Sequence, residues 1–394
     1  MGTRLIFSCV FLACLSCPAI AGMPAKLHTE GRWLKDATGK TVVLRGVNKP
    51  GYVDVPDGWW NKPGGSLFSG IGTWNPAAVG ANLDEMRKWG NVIRFHTCIQ
   101  WWKDNPSNYR DQYRDVNYPK PYREMLKDVI AWAGERGFYV ILDFYNMKQG
   151  SDQEAMPWPP FADHRDVVAD RDEFVRLWAG IGKELSGFPH VLFELYNEPH
   201  GDDKAEAEWF VFTQEAIDAI RAVSDGIIVV QWDYGCWANL DYPPPKNPAS
   251  TMDWVEKHPL KGENILYSTH LYRTSGGGGG GMVHRTEGGM VSCWKRDDIV
   301  KALELTGVHR VALEKPLIVG ELGANVRFKG EESHRELEWF GNLLSILNDW
   351  QVGYCGWAWD PEKHLMHGML KDGNFFGGPN EAGKVFLRAV ARRP

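Results

Sequence analysis

The chain has 394 residues, 43% of them hydrophobic, which is ample for one large core. Its formal net charge of -6 carries no basic stripe, so the footprint of a nucleic-acid-binding protein is excluded. The four cysteines beyond residue 21 form no Cys-x-x-Cys pair, and neither a metal site nor a cofactor is expected.

Taken in chain order, residues 1–21 read as a secretory leader: Arg4, the apolar run "LIFSCVFLACL", then "AIA" before Gly22 as a small-residue cleavage site. The run is too short to span a bilayer, and no later stretch is long enough, so a secreted or periplasmic product without a membrane span is expected. Loss of Arg4 takes the net charge from -6 to -7, and Cys9, Cys14 and Cys17 leave with the leader. After a hairpin-like opening, "GRWLKDATGKTVVL", eight apolar runs follow: 42–48, 91–97, 138–146, 191–197, 227–233, 265–272, 316–323 and 353–359. Amphipathic stretches such as "PYREMLKDVIAWAGERG", "RDEFVRLWAGIGKELSG" and "ESHRELEWFGNLLSILNDW" lie between them, several closed by Gly.

Continuous apolar runs suit parallel strands covered by helices, and eight such units predict a (β/α)₈ TIM barrel in a single domain over residues 22–394. A doubly wound sheet would need a Gly-rich phosphate turn after its first strand, and none is present. Long loops (49–77, 98–120, 147–171, 234–249, 273–293) follow the carboxyl ends of strands, where barrel enzymes build their sites. The Gly run at 276–281 reads as a flexible linker rather than a phosphate cradle. Cys236 and Cys293 fall in neighbouring loops of this set and are the favoured pair of three possible connectivities, with Cys98 and Cys355 as buried thiols.

Nineteen tryptophans are many to bury, and Trp59, Trp60, Trp74, Trp101, Trp102 and Trp158 stand in polar loops where flat faces could line a ligand surface. The strand ends present Arg94 and His96, Tyr145 and Asn146, Asn197 and Glu198, His270 and Tyr272, Glu321, and Trp357. Two carboxyl groups at one aromatic mouth suit glycosidic cleavage, because one must protonate the leaving oxygen while the other meets the developing oxocarbenium ion. A single Glu at a strand end could as well cap a helix or pair with an Arg; two in register with Asn, His, Tyr, Arg and Trp argue against that.

The sequence resembles glycoside hydrolase family 5 over nearly the whole chain after the leader. The matching stretches are "LRGVN", the Arg of "VIRF", "YNEPH", "THLY", "IVGELG" and a Trp in the eighth run. The resemblance implies Glu198 as acid/base, Glu321 as nucleophile, and Asn197 as the contact to the sugar 2-hydroxyl. It also implies Arg94 steadying the nucleophile, His270 and Tyr272 orienting both acids, and Trp357 as the sugar platform. One position departs from the pattern: "LDFYN" has Tyr145 where the family usually carries His, and His96 on the neighbouring strand is expected to fill part of that space. The contacts at the reacting sugar are what this departure puts in question.

The chemistry requires Glu198 to hold a proton and Glu321 to be ionised with a cation such as Arg94 against it. Retention of configuration requires the two carboxyl groups roughly 5 to 5.5 Å apart. Between Trp357 and Trp359, which a regular strand would point the same way, Trp357 is expected under the reacting sugar and Trp359 at a neighbouring subsite or loop. The expected function is a retaining, monomeric hydrolase of a β-linked polysaccharide or oligosaccharide, in first place an endo-β-1,4-glucanase. An endo-β-1,4-mannanase or an exo-acting β-glycosidase is the alternative; a non-catalytic carbohydrate-binding relative is disfavoured by the presence of both Glu.

Overall fold

The computed structural model describes residues 22–49, 76–105, 109–111, 114–116, 120–145, 170–199, 203–232, 252–273, 283–286, 289–292, 294–362, 365–372 and 377–392. The leader, Asn146, Cys236, Cys293, Trp59, Trp60, Trp74 and Trp158 lie outside these residues, as do the side chains of Cys98, Trp101 and Tyr145.

Eight parallel strands close into a barrel in chain order: β1 (Arg45–Asn48), β2 (Val92–Cys98), β3 (Tyr139–Tyr145), β4 (Val191–Glu194), β5 (Ile228–Gln231), β6 (Ile265–Leu271), β7 (Leu317–Leu322) and β8 (Gly353–Gly356), with β8 returning to β1. The helices among the described residues are α1 (Pro76–Met86), α2 (Ile99–Asp104), α3 (Tyr122–Glu135), α4 (Arg171–Leu185), α5 (Asp203–Arg221), α6 (Trp254–Lys257), α7 (Arg296–Leu305), α8 (Val308–Glu314), α9 (Gly330–Trp350) and α10 (Glu381–Ala391). This is the expected (β/α)₈ architecture. Asp170 and Asn380 start α4 and α10 by accepting hydrogen bonds from the amides of Glu173 and Gly383.

The apolar runs are continuous because both strand faces are buried. Outward residues such as Ile93, Val140, Phe193 and Val319 pack beneath the helices in one large core. Inward residues Val92, Ile141, Leu192, Val229, Leu266, Ile318 and Cys355 form a second core inside the barrel. Leu27 and Leu34 complete that inner core from an antiparallel hairpin, Leu27–Glu30 with Trp33–Asp36. The hairpin therefore stops the amino-terminal end of the barrel. It is fastened there by Tyr139, whose hydroxyl donates to the Ala25 carbonyl at 2.9 Å, and by Thr29 and Asn264, which exchange backbone-to-side-chain hydrogen bonds of 2.9 and 3.1 Å.

Several expectations are corrected. The fourth and eighth strands stop at Glu194 and Gly356, three residues short of the apolar runs that announce them, because the chain beyond leaves the ladder to turn side chains into the mouth. The 98–120 stretch is not plain loop: it holds α2 and a hairpin of Tyr109–Asp111 with Arg114–Val116, and 273–293 holds another of Val283–Thr286 with Gly289–Ser292. Trp102 lines no ligand surface. It is buried on α2, edge-on to Phe144 with ring centroids 5.7 Å apart. Cys355 is a buried free thiol, as expected, and burial pushes its pKa up.

Candidate active site

At the mouth, local backbone features explain the placement of each carboxylate. Glu198 has φ 47°, a left-handed conformation costly for a residue with a Cβ, and it directly precedes Pro199. Such strain persists where the surroundings hold the side chain to a purpose. On β7, the register against β6 shifts between Thr269 and His270, which brings His270 opposite Glu321. Gly320 permits this approach, since a Cβ there would stand 2.9 Å from His270 Nε2 and 2.8 Å from Ser268 Oγ. Gly323 likewise leaves space for the Trp357 carbonyl, 2.4 Å from where its Cβ would be. Both glycines of "GELG" are thus fixed by close contact.

Arg94, fully buried on β2, is the hub. Its Nε and Nη2 grip both oxygens of Glu194 at 2.6 and 3.1 Å. Nη2 also donates to Asn197 Oδ1 at 2.9 Å and lies 3.2 Å from Asp143 Oδ2. Nη1 donates to Glu321 Oε1 at 2.8 Å and to Asn48 Oδ1 at 3.1 Å. Three carboxylates around one guanidinium exceed its charge. Burial accordingly pushes Asp143 up to about 7, with Arg94 opposing and Glu198 adding, and raises Glu194 as well. The same carboxylates hold the buried Arg94 cation well above its ordinary value.

His96 is pressed down to about 3, chiefly by burial and then by Arg94, so its ring is neutral. That fits its contacts: Nε2 accepts from Arg94 Nη1 at 3.0 Å, while Nδ1 lies 3.0 Å from Asp143 Oδ2. The ring meets Trp357 edge-on, with centroids 4.8 Å apart. Glu321 accepts a second hydrogen bond, from the Tyr272 hydroxyl to Oε2 at 2.7 Å, and Tyr272 stays a donor because burial and Glu321 raise its pKa far above the usual value. His270, lowered to about 4 by burial, sets Nδ1 at 2.7 Å from Glu198 Oε1.

The expected residues Arg94, His96, Asn197, Glu198, His270, Tyr272, Glu321 and Trp357 therefore converge on one mouth. Tyr145 ends β3 beside Cys98, and only its backbone place is described. Trp357 stands just past the end of β8 and is partly exposed, whereas Trp359 is fully buried in the outer core and serves no subsite. The shared direction expected of the pair fails because the strand has already ended.

Not foreseen were Asn48, Asp143, Glu194 and Gln231, whose side-chain oxygen faces the Glu198 amide at 3.4 Å. A signal existed in the acids of "ILDFY" and "LFELY": a charge inside an apolar strand must find a partner.

Glu198, His270 and Glu321 each present an atom within 4.8 Å of the others, a spacing a cation could use. Arg94 and Tyr272 already donate to the two oxygens of Glu321, so the group is wired by hydrogen bonds with a cation in place. Two carboxyls this close, one held by a neutral imidazole and one by a guanidinium and a phenol, can divide proton transfer from nucleophilic attack.

The cellulase family, glycosyl hydrolase family 5, matches residues 36–363. The chain belongs to this family. Among relatives in it, endoglucanase E-5 of Thermobifida fusca is 24% identical over 340 residues, covering 86% of this chain and 56% of its own length. A mannan endo-1,4-beta-mannosidase of Cellvibrio japonicus is 20% identical over 364 residues, 91% of this chain and 65% of its own. The chain spans about half the length of most curated relatives it matches. In fold it is similar to the β-glucanase SdGluc5_26A of Saccharophagus degradans, solved in complex with cellotetraose, with 20% identity, a TM-score of 0.64 and 93% of both chains covered. No helix of the described residues is long and apolar enough to cross a membrane.

Proposed function

We propose that the protein is a retaining β-glycanase of family 5, with β-1,4-linked glucan as its substrate, acting by double displacement. The carrying observation is that one carboxyl oxygen of Glu198 and one of Glu321 lie within 4.8 Å, in keeping with the roughly 5 to 5.5 Å carboxyl separation of retaining enzymes and short of the roughly 6.5 to 9.5 Å of inverting ones. Glu198 protonates the leaving oxygen while Glu321 attacks the anomeric carbon, forming a glycosyl ester. Glu198, now the base, takes a proton from water as that water attacks the same carbon and releases Glu321. The sugar leaves with its original anomeric configuration. Arg94 and Tyr272 hold the nucleophile on both oxygens, His270 orients the acid, Asn197 offers its amide to the 2-hydroxyl, and Trp357 supplies the apolar face beneath the ring.

The endoglucanases among the relatives support glucan; the mannanase that aligns with most of the chain supports mannan as the second reading. Activity on carboxymethyl cellulose, mixed-linkage glucan, xyloglucan, galactomannan and small aryl glycosides separates the two and distinguishes internal from terminal cleavage. Proton NMR of the first product formed from cellotetraose should show the β anomer; an initial α anomer would refute the retaining mechanism. The first 21 residues act in this reading as an export leader, and mass spectrometry of the secreted protein should place its amino terminus at Gly22.

A further inference from the structure

Glu336 sits on α9 and is 1% exposed. Its two oxygens take donors from two different strand ends. Oε2 accepts from Arg273 Nη1 at 2.7 Å, and Arg273 directly follows Tyr272 beyond β6. Oε1 accepts from the Asn325 amide at 3.0 Å, and Asn325 lies four residues after Glu321 beyond β7. Glu332, one helical turn earlier on the same face, reaches the same Arg273 Nη1 at 2.5 Å from a more exposed position.

The linkage continues to the segment beyond β8. Val326 donates to the Met366 carbonyl at 2.8 Å, the His367 carbonyl accepts from Ala358 at 3.1 Å, and the His367 ring lies against Tyr272 with centroids 4.9 Å apart. Both Arg273 and Glu336 are buried, and burying an ion pair costs desolvation that an apolar pair of equal volume avoids. What an apolar pair could not provide is a fixed distance between the backbones carrying Tyr272 and Glu321.

We propose that Glu336 is a positioning residue: one carboxylate clamps the ends of β6 and β7 so that the Tyr272 hydroxyl meets Glu321 at hydrogen-bonding distance. This rests on the reading of Glu321 as nucleophile and Tyr272 as its partner. The test is a double-mutant cycle on kcat and KM with an aryl cellobioside, using Glu336→Leu, Glu336→Gln and Tyr272→Phe, well below each variant's melting temperature. Glu336→Leu should lower kcat about tenfold or more with little change in KM, as a displaced catalytic group does. Glu336→Gln, which still accepts from Asn325, should lose less. In the Tyr272→Phe background, Glu336→Leu should cost almost nothing further. If the Leu variant does not fold, the Gln variant carries the same cycle. An equal loss in both backgrounds, or no loss in either, overturns the proposal while leaving the catalytic reading intact. If Tyr272→Phe leaves kcat unchanged, the role of Tyr272 falls and the proposal falls with it.

Discussion

The lower and upper halves of the barrel interior are built on the same strands and the same pleat face, two residues apart. Val92, Ile141, Leu192, Val229, Leu266 and Ile318 form the lower layer; Arg94, Asp143, Glu194, Gln231, Ser268 and Gly320 stand one step nearer the mouth. The lower layer is held by removal of hydrocarbon from water, a gain of about 25 cal/mol per Å² that tolerates any apolar residue of suitable volume. The upper layer has no such tolerance. Each of its carboxylates would be prohibitive alone and is admitted only with Arg94 beside it. One half of a closed sheet thus supplies stability, and the other spends its pleat positions on charge.

Substitutions should separate the halves cleanly. Glu321→Gln keeps acceptor and shape, so turnover should fall by about 10⁴-fold or more, as when a nucleophile is removed, while the melting curve stays near that of the parent. A largely unfolded variant would return Glu321 to a purely structural role. Leu192→Ala is the mirror image: roughly 2 to 5 kcal/mol of stability lost to a cavity in denaturant unfolding, with kcat per folded molecule unchanged. Any comparable loss of kcat would mean that the layers are mechanically coupled.

Trp357→Ala probes the rim of the upper half. In the proposed reading its face lies beneath a ring that gains positive charge in the transition state, so kcat should fall about tenfold and by more than KM rises. A change confined to KM would make Trp357 a ground-state binder only.

The smallest effect is in pH. Asp143 has a raised folded pKa of about 7 against 3.8 in its ordinary state, so the folded form holds more protons and stability is lost as pH rises through that window. His270 and His96, depressed to about 4 and 3, contribute stability above 6.5 that is lost as pH falls toward those values. Between about 4 and 6.5 these trends oppose one another, so Asp143→Asn, which removes the component that falls as pH rises, should make the melting temperature climb more steeply with pH there. An unchanged profile would place the proton elsewhere in the Arg94 cluster.

How much of this could be read in advance follows the same division. The eight strands were legible because burial on both faces writes continuous apolar runs, and the mouth was legible because polar residues interrupt those runs at their carboxyl ends. Asp143 and Glu194 were not singled out as partners of Arg94, since strand pairing across the barrel decides which charges meet. The end of β8 at Gly356 was hidden because "WAW" continues the apolar run while the backbone has already left the ladder. Glu336 was invisible for a different reason: in an amphipathic helix a glutamate looks solvated, and only the packing of α9 reveals it to be buried.

The amino-terminal hairpin has a practical corollary. Because Leu27 and Leu34 stop the barrel at the end opposite the mouth, whatever is joined ahead of Gly22 emerges on the far side from Glu198 and Glu321. Tethering the protein to a bead or a second domain through that end would leave the mouth facing outward, whereas a graft at the carboxyl ends of the strands would stand over it.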